Sequence, residues 1–200
     1  MSKYAVLGNP VSHSKSPLIH SLFAKQTNQE MSYTAIPLEE GNFDGFVKSF
    51  FAEGGAGLNV TVPFKENAFA LAASCSPRAQ LAKAVNTLFL DDQGNICGDN
   101  TDGIGMVTDI KQNNGVDLSG QRLLILGAGG AVRGALAALV HEPVATITVV
   151  NRTLAKAETL VDEFESMTAI EALSYEALQD SANHGRCFDL IINGTSSSLQ

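Results

Sequence analysis

Several polar side chains in this sequence stand where a fold alone does not ask for them. Ser12-His13-Ser14-Lys15-Ser16-Pro17 places three hydroxyls ahead of a predicted helix, with Ser16 as N-cap and Pro17 in the first helical position. A helix N-terminus offers unpaired N–H groups and the positive end of a dipole, so this turn suits a carboxylate. Asn59 and Thr61 alternate with apolar Leu58, Val60 and Val62 and therefore share one face of a predicted strand. Lys65 follows within a turn of a helix start, Asn86 interrupts an apolar strand, and Asp99, Asn100, Thr101 and Asp102 precede a long helix. Singly, each has a structural alternative: Ser14 and Ser16 as caps, Thr61 as a strand former, Asp102 as an N-cap. Jointly, they fit a site for a small, hydroxylated, anionic molecule.

A second centre needs backbone more than side chains. The apolar run Arg122–Leu126 leads into Gly127-Ala128-Gly129-Gly130-Ala131 and directly into a helix. Glycines allow the tight turn and let main chain approach a pyrophosphate, while the first helical N–H groups face the anion. Val132 occupies the last position of a GxGxxG pattern, so an ordinary strand-to-helix turn is the competing reading; the order strand, turn, helix, strand favours the phosphate site. At the end of the next strand, an acidic residue would bond the ribose 2′-OH of NAD. This chain has Asn151-Arg152-Thr153 and then Lys156. A carboxylate repels a 2′-phosphate, whereas cations and a hydroxyl hold one, which favours NADP over NAD. The alternative makes Arg152 and Lys156 surface charges and Thr153 a helix cap.

The elements that must position these residues alternate along the chain. Strands are expected at Tyr4–Leu7, Ser32–Pro37, Leu58–Val62, and as a hairpin of Val85–Leu90 with Asn95–Cys97. Helices are expected from Ser16, through Phe43–Phe51, from Pro63-Phe64, and over Asp102–Asn113, with Gly54–Gly57 a turn. Beyond lie strands Arg122–Leu126, Ala145–Val150 and Leu190–Ile192, with helices to about His141 and over Leu154–Phe164. Strand–helix–strand at this spacing implies parallel crossovers and a doubly wound sheet. The expected architecture is α/β: a substrate-binding domain over residues 1–101, a linker helix and connection over 102–120, and an incomplete Rossmann-like nucleotide-binding domain over 121–200. The end at Gln200, just past a strand, leaves fewer strands than that domain needs and suggests a C-terminally truncated chain.

Composition narrows the function classes. With 44% hydrophobic and 17% charged residues, the chain has the balance of a globular protein. A net charge of −8 argues against nucleic-acid binding, which needs a Lys/Arg surplus. Three cysteines without CxxC spacing read as reduced thiols, and four scattered histidines give no metal site. The N-terminal apolar stretch is too short for a secretion signal and no segment is long enough to span a bilayer, so a cytoplasmic protein without membrane partners is expected. Oligomeric state cannot be read from the residues, and a homodimer stays open.

Gly8-Asn-Pro-Val-Ser-His-Ser-Lys-Ser-Pro17, Asn59-Val-Thr-Val-Pro-Phe-Lys65, Ala84-Val-Asn-Thr87, Gly98-Asp-Asn-Thr-Asp-Gly103, Gly127–Ala131, Asn151-Arg-Thr153 and Asn193-Gly-Thr-Ser-Ser197 together resemble the shikimate dehydrogenase family, in the family's order and across the whole chain. The resemblance implies NADPH-dependent, reversible reduction of 3-dehydroshikimate to shikimate. It implies that Ser14 and Ser16 hold the substrate carboxylate and that Asn59, Thr61, Asn86 and Asp102 contact ring hydroxyls. Lys65 would transfer the proton, with Asp102 beside it. Gly127, Ala128, Gly129, Gly130 and Ala131 would bind the pyrophosphate. Asn151, Arg152, Thr153 and Lys156 would hold the 2′-phosphate end, and Thr195 and Ser196 would lie near the cofactor. Two departures stand out. Pro77 precedes Arg78 where the family can carry an acidic residue, and the family's C-terminal portion, with a substrate-binding tyrosine and glutamine, has no counterpart in these residues. Quinate dehydrogenation and a non-catalytic nucleotide-binding fragment are the alternatives.

Overall fold

The computed structural model describes residues 1–39 and 41–195. The chain divides into two compact units, Met1–Thr101 and Asp102–Gln200. The first unit contains β1 (Ser2–Gly8), α1 (Ser16–Gln26), β2 (Met31–Pro37), α2 (Phe43–Ala52), β3 (Gly55–Val60), α3 (Lys65–Leu71), β4 (Ser74–Cys75), α4 (Pro77–Ala82), β5 (Thr87–Leu90) and β6 (Ile96–Asp99). Its six-stranded sheet runs β2-β1-β3-β5-β6-β4. β1 pairs in parallel with both β2 and β3, whereas β5 is antiparallel to β3 and to β6. β1 and β3 read as apolar because the sheet is covered: Ala5, Leu7, Leu58 and Val60 are buried with Phe43, Val47 and Phe51 of α2. The Phe43 and Phe64 rings stack at 5.3 Å. Each fully buried Val, Leu or Phe side chain here contributes roughly 1.5–3 kcal/mol.

Three local expectations change. Gly55 and Gly57 belong to β3 rather than to a turn. A Cβ on Gly55 would collide with the Phe50 ring, and one on Gly57 would lie 3.2 Å from the Tyr4 ring, so these glycines serve close packing. Ser16 is the first helical residue of α1, not its N-cap; Lys15 holds the cap position in αR geometry and makes no side-chain capping bond. Phe64 takes the corresponding position before α3, which starts at Lys65 and not at Pro63. Phe64 is only 2% exposed, so packing rather than capping chemistry sets that start.

The second unit contains α5 (Asp102–Thr108), a π turn (Asp109–Asn113), β7 (Arg122–Leu126), α6 (Gly130–Leu139), β8 (Thr146–Val150), α7 (Leu154–Phe164), β9 (Ile170–Leu173), α8 (Tyr175–Asn183) and β10 (Leu190–Asn193). All pairings are parallel, in the order β10-β7-β8-β9. Counted within the unit, that is fourth, first, second, third. The connection direction therefore reverses between β7 and β10, where open α/β sheets take ligands at the carboxyl ends of their strands. Segment 102–120, expected as a connection, packs inside this unit: a Cβ on Gly103 of α5 would strike the Gly134 carbonyl of α6. β9 and α8 add to the expected elements, since β9 is a half-buried four-residue strand with no strong period. Among the described residues, no helix is long and apolar enough to cross a membrane.

Candidate active site

The second unit gathers most of the predicted cofactor residues into one cleft of about 590 Å³. Gly127, Ala128 and Gly129 come from the β7–α6 turn, Asn151, Arg152, Thr153 and Lys156 from the β8–α7 turn, and Gly194 and Thr195 from the end of β10. Gly127 has φ +106°, donates its N–H to the Val150 carbonyl at 2.7 Å, and would place a Cβ 3.1 Å from the Gly194 carbonyl oxygen. Both the backbone conformation and the space demand glycine. Val132, the departure from GxGxxG, is buried against the Cα of Gly194, where any Cβ would collide with it. The close approach usually given by a third glycine is thus supplied from the β10 side.

Gly130 and Ala131 open α6 outside the lining of the cleft. The Arg133 N–H bonds the Gly129 carbonyl at 3.0 Å, so the N–H groups before it precede the helical ladder. In the next turn, Asn151 Nδ2 donates to the Thr153 carbonyl at 2.9 Å and shapes the loop. Thr153 holds the N-cap position of α7 but makes no side-chain capping bond, which removes the purely structural reading of its hydroxyl. Arg152 and Lys156 are exposed and line the same cleft. Two cations, a hydroxyl and a helix N-terminus around a glycine cradle fit a phosphorylated dinucleotide. Thr195 is held by its N–H and hydroxyl bonds to Asn193 Oδ1, at 3.0 and 2.8 Å. Ser196 lies outside the described residues.

In the first unit Ser14, Ser16, Asn59, Asn86 and Thr101 belong to one connected chain. Ser14 Oγ accepts from the Ser16 N–H at 3.3 Å, and the Ser16 side chain bonds the Tyr33 hydroxyl. Tyr33 donates to Asn59 Oδ1 at 2.6 Å. Asn59 Nδ2 donates onward to the Asn86 carbonyl and to Thr87 Oγ1, at 3.3 and 3.2 Å. Asn86 is buried; its Oδ1 accepts from Thr87 Oγ1 at 2.8 Å and its Nδ2 donates to Thr101 Oγ1 at 2.9 Å. Burial pushes the Tyr33 phenol up to about 12, with the Ser16 bond pulling it partly back, so it stays a donor near neutrality. The His20 ring stacks on Tyr33 at 4.2 Å, and burial lowers its pKa. Tyr33 and Thr87 join the chain beyond the residues to which the sequence points. The one signal for Tyr33 is its place between Ser32 and Thr34 in a strand of mixed polarity.

Thr61 and Lys65 stand at the end of β3 and the start of α3. Thr61 donates its N–H to the Leu7 carbonyl at 2.9 Å and presses its methyl onto Gly8. The half-buried Lys65 is fixed at its backbone, its carbonyl accepting from the Val85 N–H at 2.9 Å. In the run before α5, two residues serve the loop itself. Asp99 is gripped by the Arg78 guanidinium, which holds its carboxyl below the usual range, and by Ser76. Asn100 is buried and donates to the Ala84 carbonyl at 3.0 Å. Pro77 begins α4 behind a Ser76 cap. Asp102 is exposed as the first residue of α5, in the second unit.

Comparison with known proteins accounts for both units. Residues 6–88 match the family described as shikimate dehydrogenase substrate binding domain, and residues 109–200 match shikimate / quinate 5-dehydrogenase. The NADP(+) shikimate dehydrogenase of Aeromonas salmonicida is 54% identical over 200 residues, covering 100% of this chain and 71% of that protein. Shikimate 5-dehydrogenase of Thermus thermophilus, solved with NADP(H) and shikimate, is 34% identical with TM-score 0.81, covering 98% of this chain and 69% of its own. The Listeria monocytogenes enzyme, solved with shikimate and NAD, is 27% identical with TM-score 0.90, covering 100% and 70%. The chain belongs to the shikimate dehydrogenase family.

Proposed function

We propose that this chain carries the machinery for reversible, NADPH-dependent reduction of 3-dehydroshikimate to shikimate, a step toward chorismate and the aromatic amino acids. The observation that carries this reading is the second unit's cleft, where Arg152, Thr153 and Lys156 stand beside the glycine turn at the strand end that would hold a carboxylate for NAD. Bound NADPH supplies the hydride. The protein's part is binding, orientation and proton management. Ser14 and Ser16 are assigned to the substrate carboxylate, and Asn59, Thr61 and Asn86 to its hydroxyls. The Lys65 ammonium gives its proton to the alkoxide oxygen as the ketone is reduced, and neutral Lys65 takes the proton back in the oxidising direction. We assign Asp102, the first residue of α5, to a substrate hydroxyl. Three free cysteines fit a reducing, cytoplasmic setting.

A second reading is quinate dehydrogenation, favoured by the name of the family matched over residues 109–200. The deciding experiment compares kcat/KM for shikimate and quinate, each with NADP and NAD. It is run on this chain and on one extended to the length of its relatives. Shikimate with NADP should give the highest value. A higher value for quinate, or no shikimate-dependent NADPH formation by either chain, would overturn the proposal.

A further inference from the structure

Along the carboxyl edge of the second unit's sheet, the cleft has an order. Gly194 and Thr195 follow β10, Gly127 to Gly129 follow β7, Arg152 and Thr153 follow β8, and Tyr175 stands beyond β9 as the first residue of α8. Resting on the NADP reading above, this order fixes how the cofactor lies. A pyrophosphate over the β7 turn and a 2′-phosphate at Arg152 leave the adenine on the β9 side, with the nicotinamide half directed toward β10. Nearly everything lining the cleft is glycine, cation or small polar group, which suits phosphate and ribose and leaves a purine little to stack on beside the Arg152 guanidinium, already assigned to the 2′-phosphate. Tyr175 is the only aromatic side chain among the described lining residues, and at 45% exposure its ring is open to a ligand arriving from solvent. A flat base on a flat ring buries both faces, and base–aromatic stacking tolerates any base because each has a π face.

We propose that Tyr175 is the adenine platform of the cofactor cleft. It positions the cofactor and takes no part in proton or hydride transfer. The ring carries the contact and the hydroxyl is dispensable. Calorimetric titration of the 200-residue chain with 2′,5′-ADP tests this, beside Tyr175→Ala and Tyr175→Phe, with inorganic pyrophosphate as a ligand that has no base. Tyr175→Ala should bind 2′,5′-ADP about 5- to 100-fold more weakly, the range of a lost base–aromatic stack. Tyr175→Phe should stay within about twofold of the parent, since the π face is retained. Pyrophosphate should bind all three alike. A spectroscopic signature accompanies the affinities. The chain has three tyrosines and no tryptophan, so quenching of tyrosine emission by 2′,5′-ADP should be present in the parent and vanish in Tyr175→Phe. Unchanged 2′,5′-ADP affinity in Tyr175→Ala overturns the platform and leaves the NADP reading intact. An equal loss of pyrophosphate affinity in that variant overturns the platform in favour of a structural role. A parent chain that binds no 2′,5′-ADP overturns the NADP reading and the platform together.

Discussion

The two units build their sites from different material. In the second unit the cleft is mostly main chain: a glycine at φ +106°, a helix N-terminus and three strand ends, with cations added at the rim. In the first unit several candidate substrate residues are tied together largely through side chains, from Ser16 through Tyr33, Asn59, Thr87 and Asn86 to Thr101, with Ser14 joined by the Ser16 N–H. A backbone cradle depends on space and on φ, so its weak points are glycines. A side-chain chain depends on the identity of each donor and acceptor, so removing one member strands its neighbours.

The largest effect should come from the residue assigned to chemistry. Lys65→Ala should lower kcat by about 10²- to 10⁴-fold with little change in KM, as expected for loss of general acid–base catalysis. An unchanged kcat would remove Lys65 from proton transfer. Next comes the rim of the cleft. Arg152→Ala should weaken NADP by roughly 10-fold or more through loss of a charge-assisted phosphate contact, and leave NAD almost untouched. Equal losses for both would assign Arg152 to the common part of the cofactor. Gly127→Ala probes the backbone character directly. It forces a Cβ into the left-handed region 3.1 Å from the Gly194 carbonyl oxygen, and should destabilise the unit by about 1–3 kcal/mol in a denaturant titration. Full stability would contradict the argument for glycine there.

Smaller effects sharpen the first unit. Tyr33→Phe removes the donor to Asn59 Oδ1 and should cost about 1 kcal/mol in chemical denaturation. The smallest effect is acidic. Because Arg78 holds the Asp99 carboxyl below its ordinary value, the pair's stabilisation is complete above the usual carboxylate range and is lost as pH falls through the depressed value. Wild type and Arg78→Gln should therefore differ near neutrality and converge on acidification. A gap that persists at low pH would show that the ion pair is not its source.

The same contrast explains what is legible in the chain. The glycine turn, Arg152 and Thr153 can be read locally, because a strand, a turn and a helix N-terminus lie within a few residues of one another. The polar chain of the first unit can be read only as a collection. Ser16, Tyr33, Asn59 and Asn86 are far apart in sequence, and the tyrosine that links them lies in β2, whose residues are half-buried or exposed and give no clean alternation. Val132 looks like a flaw in the fingerprint because Gly194, which makes room for it, arrives 62 positions later. Tyr175 is hidden for a similar reason. It follows β9, whose weak pattern conceals the third strand-to-helix turn. Asp99 and Asn100 look like site residues in the sequence, yet their bonds to Arg78 and Ala84 hold the loop.

The central claim is that the cleft of the second unit is built for a phosphorylated dinucleotide. Calorimetric titration of NADP and of NAD into the 200-residue chain tests it most directly. The account predicts NADP binding about tenfold or more tighter than NAD, a difference of about 1.4 kcal/mol or more. Equal affinities, or tighter binding of NAD, would contradict it.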